Sequence, residues 1–155
     1  MTPAIDLDAY FARIGYGGTR TATAETLAAI HLHHPQAIPF ENLNPLLRWP
    51  VRLDASSLQQ KLVRDGRGGY CHEQNQYLRL VLKALGFDAR LRMARVRWMQ
   101  PPEAMPQRGH MTLNVAVAGH WYLSDVAFGA MTPTAPLRLD TPEEQATPHQ
   151  TYRVV

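Results

Sequence analysis

The 155-residue chain has one cysteine, two lysines and no long apolar run, and each shortage closes off a class of function. With Cys71 as its single thiol it forms no intramolecular disulfide, and a zinc site built from four cysteines is excluded. No stretch approaches the ~20 apolar residues that span a bilayer. The opening MTPAIDLDAYFARIG carries acids where a secretory leader needs bases, and it lacks a long apolar core. The expectation is a cytoplasmic, reduced protein with no membrane partner, whose one thiol stays available for chemistry. Positive charge is also sparse: the net charge is +3, and although 14 of the 16 basic residues are Arg they are scattered, with no basic tail. No nucleic-acid partner is expected from that pattern.

What is present suits a folded domain. Apolar residues make up 45% and charged residues 19%, a globular balance. A chain of this size buries roughly 68–70% of its unfolded surface. Asp6 is placed to cap a short helix with Leu7, Tyr10, Phe11 and Ile14 on one face, stopped by Gly15. Thr23 caps a second helix, with Leu27, Ile30 and His31 facing inward, which His34-Pro35 is expected to end. A third helix is expected over Ser57–Arg64. A fourth runs from Cys71 to Leu85, nearly all apolar after Gln76 except for a narrow polar stripe of His72, Gln76, Arg79 and Lys83.

From Phe87 the period falls from about 3.6 to 2. Ala89, Leu91 and Met93 alternate with charged neighbours, and a switch of face to Val96 and Trp98 predicts a bulge near Ala94. Met111–Val117 and Trp121–Val126 read as strands joined at Ala118-Gly119-His120, a hairpin signal. The four prolines between Thr132 and Pro148 predict loop, and Tyr152–Val155 reads as a strand just begun. Helices followed by strands, without alternation, predict an α+β fold with a helical part over 1–86 and a β-rich part over 87–155.

Cys71 falls at the first turn of the fourth helix, after Arg67-Gly68-Gly69-Tyr70. A helix start carries about half a positive charge, which favours a thiolate. In such positions the thiol pKa drops from about 8.5 to roughly 3.5–7.5. The paired glycines allow a tight turn and close passage of a substrate, and backbone N–H groups there suit an oxyanion. The plain alternative is a small, inert core thiol. A nucleophilic thiol needs a proton acceptor, and the acceptor an orienting group. Antiparallel pairing about Ala118-Gly119 brings residues 110–112 beside 125–127, making His110 and Asp125 neighbours. His31 and His34, three apart on a helix, have the spacing of metal ligands but no evident third ligand, so no metal is expected. His33 and His149 read as solvated, His120 as a hairpin tip, and His72 as a surface residue.

Arg67-Gly68-Gly69-Tyr70-Cys71-His72-Glu73-Gln74-Asn75 resembles the RGG-x-C-x-E-x-N signature of arylamine N-acetyltransferases. Ile38-Pro39-Phe40-Glu41-Asn42-Leu43, Gly109-His110-Met111 and Asp125-Val126-Ala127-Phe128-Gly129 are similar to that family's other motifs, in the same order. His72 stands where Phe is usual, and Ala127 where Gly is common. The resemblance implies a helical bundle followed by a β-barrel-like domain and a cysteine-protease-like catalytic core. It also implies ping-pong transfer of acetyl from acetyl-CoA to arylamines or hydrazines. Cys71 would be the nucleophile, His110 the base and later acid, and Asp125 the orienter. Phe40, Gly69, Phe128 and Gly129 would line the substrate and coenzyme A cleft. The family's third domain has no counterpart here, so a homodimer through uncovered surface is expected. A cysteine hydrolase or amide synthase with the same triad, and a non-catalytic short form, remain alternative readings.

Overall fold

The computed structural model describes residues 5–155. Residues 1–4, where the stretch read as lacking leader character begins, lie outside the described residues. Helix α1 spans Leu7–Ile14: the Asp6 carboxylate accepts the Ala9 N–H, and Gly15 ends the helix at φ 66°. Its buried residues, Tyr10, Phe11 and Ile14, all belong to the apolar face expected from the spacing. Helix α2 spans Ala24–Ala37 behind a Thr23 cap and runs past the stop expected at His34-Pro35. Pro35 lacks an N–H but sits in the last turn. The Ile38 N–H still reaches the His34 carbonyl at 2.8 Å and closes the end.

A single turn, α3 (Leu43–Leu46), follows. The third expected helix begins two residues early, as α4 (Ala55–Leu58), because the Asp54 carboxylate accepts the Ser57 N–H at 3.0 Å. It then widens into a π-helical stretch, Gln59–Arg64, in which the Asp65 N–H bonds the Gln60 carbonyl. Helix α5 (Cys71–Ala84) carries the thiol at its first position and buries Tyr77, Leu78, Val81 and Leu82.

Strands β1 (Asp88–Ala94), β2 (His110–Val117), β3 (His120–Ser124) and β4 (Leu137–Arg138) form one antiparallel sheet in chain order. A separate ribbon pairs β5 (Gln145–Ala146) with β6 (Thr151–Tyr152), and the 132–148 region read as loop contains two short strands, β4 and β5. The outer sides of β1 and β4 are unpaired, and the barrel expected from the resemblance does not close among the described residues. No bulge forms near Ala94 either. That residue, paired with His110, ends β1, and the chain then leaves the sheet so that Val96 and Trp98 project from a loop. Between β2 and β3, Ala118 and Gly119 both take positive φ (51° and 79°), the geometry of a tight two-residue hairpin. His120 is therefore the first residue of β3, not the tip, and it pairs with Asp140.

One cluster of buried side chains runs from Tyr10 and Leu27 through Leu62 and Leu78 to Ala89, Leu113 and Val115. Helix α5 packs against β1 and β2 and also against α4. The loop before α5 is clamped to the Ile38–Glu41 segment: Gly69 N–H bonds the Pro39 carbonyl, and Glu41 N–H bonds the Gly69 carbonyl. A Cβ on Gly68 would stand 2.1 Å from the Pro39 oxygen. This close approach of two backbones accounts for Gly68; at Gly69 an added Cβ would instead crowd the Glu73 and Leu62 side chains, and neither glycine takes a positive φ. Gly68→Ala is expected to lower the urea unfolding midpoint by the equivalent of ~1–3 kcal/mol. Gly17→Ala, with nothing within 4 Å of the added carbon, should stay within ~0.5 kcal/mol of the parent.

Candidate active site

The hairpin register carries His110, at the start of β2, next to Asp125, just beyond the end of β3. His110 Nε2 is hydrogen-bonded to Asp125 Oδ2. The ring and the Cys71 thiol border one cavity, near enough for each to shift the other's pKa. All three residues are buried, each about 6–7% exposed. Cys71, His110 and Asp125 thus come together from a helix, a strand and a loop.

Electrostatics follow from that arrangement. Burial disfavours a charged His110, but hydrogen bonds to Asp125 and Cys71, and their negative charges, overcome it and raise its pKa to about 9. Burial likewise pushes the Cys71 thiol up. Its hydrogen bond to His110, the Met111 backbone, the His110 charge and the His72 backbone outweigh this, and the net direction is downward. The two shifts favour a thiolate–imidazolium pair. The N–H groups of Cys71 and His72, in the first turn of α5, have no backbone or side-chain oxygen acceptor among the described residues.

Asp125 is held from several directions. Its Oδ1 accepts from Asn75 Nδ2 (2.9 Å) and from the Ala127 N–H (3.0 Å). Asn75 also donates to the Met111 carbonyl at 2.8 Å and accepts the Val126 N–H at 3.1 Å. One amide therefore joins α5, β2 and the segment after β3. The Asp125 backbone N–H donates to His31 Nε2 at 3.0 Å, which leaves the proton of a neutral His31 on Nδ1. His34 Nδ1 accepts from the Tyr10 hydroxyl (2.9 Å) and its Nε2 donates to Gln74 Oε1 (3.2 Å). Gln74 in turn donates to the carbonyls of Gly69 and Pro39. The two histidines spaced like metal ligands are instead structural posts on α2, one holding the Asp125 backbone and the other Gln74 of α5. Among the described residues no group of three or more His, Cys, Asp or Glu side chains is arranged to hold a metal ion.

Glu73, fully enclosed, accepts from Lys61 Nζ (2.7 Å) and from the Tyr70 N–H (3.2 Å), tying the π-helical stretch to the start of α5. Lys61 and Arg67 both reach Glu41. Roles for Asn75, His31 and Glu73 escaped sequence reasoning, although the RGG-x-C-x-E-x-N pattern contains two of them. His33 is not solvated as expected: its ring meets the Ile14 carbonyl and the edge of Tyr16.

A cavity of about 520 Å³ opens onto Cys71 and His110 and is walled by Phe40, Val96, Trp98, Phe128 and Met131. Phe128 stands edge-on to the His110 ring, centroids 5.0 Å apart. Of the residues expected at the cleft, Phe40 and Phe128 line it. Gly69 lies in the backbone bridge to Phe40, and Gly129 follows Phe128 at φ 85° without lining the cavity.

A family model described as N-acetyltransferase matches residues 23–155. The chain belongs to the arylamine N-acetyltransferase family. It is 45% identical over its whole length to 54% of the arylamine N-acetyltransferase of Escherichia coli K12. The solved structure of the Mycobacterium tuberculosis arylamine N-acetyltransferase superposes at a TM-score of 0.91 and 46% identity, over 96% of this chain and 56% of that one. The Mycobacterium marinum enzyme solved in complex with CoA gives 0.90 at 45% identity, again over 96% and 56%. The chain spans about half the length of the curated relatives it matches. Those relatives are acyltransferases. No helix among the described residues is long and apolar enough to cross a membrane.

Two outcomes follow from the supports. Asn75→Ala leaves the Val126 N–H without its acceptor and takes one donor each from Asp125 Oδ1 and the Met111 carbonyl, and should lower the unfolding free energy by ~2–4 kcal/mol in urea titration. Burial holds His31 and His34 neutral, with pKa values lowered to about 4 and about 3. In the unfolded chain both protonate near the ordinary value of about 6.5. Below that pH the unfolded state binds more protons, so their contribution is complete above about 6.5 and is lost as pH falls toward the folded values. The urea midpoint should drop between about pH 7 and pH 5, and His34→Gln should visibly flatten that drop.

Proposed function

We propose that this chain carries the acetyl-transfer centre of an arylamine N-acetyltransferase, which moves an acetyl group from acetyl-CoA through acetyl-Cys71 to an arylamine or arylhydrazine. In this reading residues 1–86 bring the nucleophile and residues 87–155 bring the histidine and aspartate. The observation that carries it is the grouping of Cys71, His110 and Asp125, with the histidine's proton affinity raised and the thiol's lowered, beneath an apolar, aromatic-walled cavity. Membership of the family and the CoA complex of the Mycobacterium marinum relative support the choice of donor.

The chemistry divides into two displacements. The Cys71 thiolate attacks the thioester carbonyl, and the oxyanion that forms is met by backbone N–H groups at the start of α5. Coenzyme A leaves with a proton from His110. The amine then attacks acetyl-Cys71, His110 accepts the amine proton, and the thiolate is regenerated. Asp125 keeps the ring in one tautomer and orientation and offsets the imidazolium charge in each cycle. An aromatic amine fits this site because it is uncharged at neutral pH and its ring packs against Phe40, Trp98 and Phe128 without leaving a buried charge unpaired.

Intact mass spectrometry after mixing with acetyl-CoA tests the reading. One acetyl group should appear on the chain, be lost on adding an arylamine, and never appear on Cys71→Ala. Asp125→Asn should keep the cavity yet slow acetylation by on the order of 10³–10⁴-fold. An adduct discharged equally fast by water alone would make the site a hydrolase, and no adduct at all would overturn the proposal.

A further inference from the structure

One side chain touches the reacting atom and has no part in the scheme above: His72. Neighbours one apart on a helix ordinarily point away from each other. Here the His72 ring turns back, and its Nδ1 lies 3.3 Å from Cys71 Sγ. The ring is half-buried and rests on Tyr70, centroids 5.1 Å apart at 34°. Read from sequence it belonged to a solvated stripe; in the fold it faces the thiol. The sulfur is thus flanked by His110 from β2 and by His72 from its own helix.

The two imidazoles differ in charge state. His110 has the Asp125 carboxylate behind it. His72 has no carboxylate hydrogen-bonded to it among the described residues; the titratable groups facing it are Tyr70, the Cys71 thiol and His110. Burial, and then the neighbouring His110 charge, hold its pKa below the ordinary histidine value. A neutral ring in contact with a sulfur anion meets it with N–H, because the anion has only lone pairs to offer.

We propose that His72 is a catalytic residue: a neutral second hydrogen-bond donor to the Cys71 sulfur that stabilises the thiolate as it is expelled from acetyl-Cys71 by the amine. The inference rests on the acetyl-transfer reading. In that step the amine nitrogen–carbon bond forms and the carbon–sulfur bond breaks. The bonding pair goes to sulfur and the amine proton to His110, while His72 keeps its own proton throughout. A thioester sulfur is a poor acceptor and a thiolate a strong one, so the bond strengthens as the sulfur leaves. In the first displacement the same bond stabilises the nucleophile before it reacts and also lowers its nucleophilicity. Removing His72 should therefore slow discharge of acetyl-Cys71 more than its formation.

The test compares the unsubstituted chain with His72→Phe, which keeps an aromatic ring on Tyr70, and His72→Asn, which returns an N–H donor near the Nδ1 position. Two readouts are needed: the pH profile of Cys71 alkylation by iodoacetamide, and single-turnover acetylation by p-nitrophenyl acetate followed by discharge with an aniline. His72→Phe should hold about tenfold less thiolate at any pH below its midpoint, matching the loss of one charged hydrogen bond. Discharge should slow by about tenfold and acetylation by less than about threefold, with His72→Asn recovering most of both. An alkylation profile in His72→Phe that superimposes on the parent overturns the assignment, whether or not the chain transfers acetyl groups. A shifted alkylation profile in a chain that never takes up acetyl would support the hydrogen bond and overturn the acetyl-transfer reading instead.

Discussion

Asp125 is a carboxylate almost wholly removed from water, and the arrangement around Cys71 depends on keeping it there. An isolated buried charge is untenable in a protein interior. This one is kept by two N–H donors on Oδ1 and the His110 ring on Oδ2. The imidazolium that results is in turn what draws the proton from the thiol. Burial works against both the thiolate and the imidazolium, so the ion pair is favoured only because each of the two charges has partners.

The start of α5 distributes that support. Cys71 presents the thiol, Glu73 ties the helix to Lys61 and the loop backbone, Gln74 clamps Gly69 and Pro39, and Asn75 fastens β2 and the Asp125 segment. Four of five consecutive residues point to four different parts of the fold, which one helical turn makes possible at about 100° per residue. Behind them, the neutral histidines of α2 hold the Asp125 backbone and Gln74. The helical and sheet portions therefore meet through polar side chains at the site and through one apolar cluster elsewhere.

Much of this was legible before any coordinates. The caps at Asp6 and Thr23, the stop at Gly15, the long buried helix from Cys71 and the hairpin at Ala118-Gly119 follow from local rules and appear where those rules put them. The register needed only the turn position, and it brought His110 to Asp125. What stayed hidden depends on contacts distant in sequence. Gly68 reads as allowing a tight turn and passage of a substrate until Pro39, 29 residues earlier, is seen to forbid any side chain. His31 and His34 have the spacing of metal ligands, and only Asp125 and Gln74, folded back against α2, give them other work. The apparent bulge at Ala94 was a chain leaving its sheet, because alternation reports which face is apolar and not whether a strand still has a neighbour. His72 was misplaced since periodicity assigns a residue to a face but not the rotamer it adopts.

The claim that a buried aspartate maintains a thiolate–imidazolium pair in the resting chain is tested most directly by nitrogen-15 NMR of the His110 ring across pH. The account predicts both ring nitrogens protonated from neutral pH up to about 9, with the doubly protonated signal collapsing to a neutral imidazole in Asp125→Asn. A His110 ring already neutral near pH 7, with Cys71 still a thiol, would contradict it.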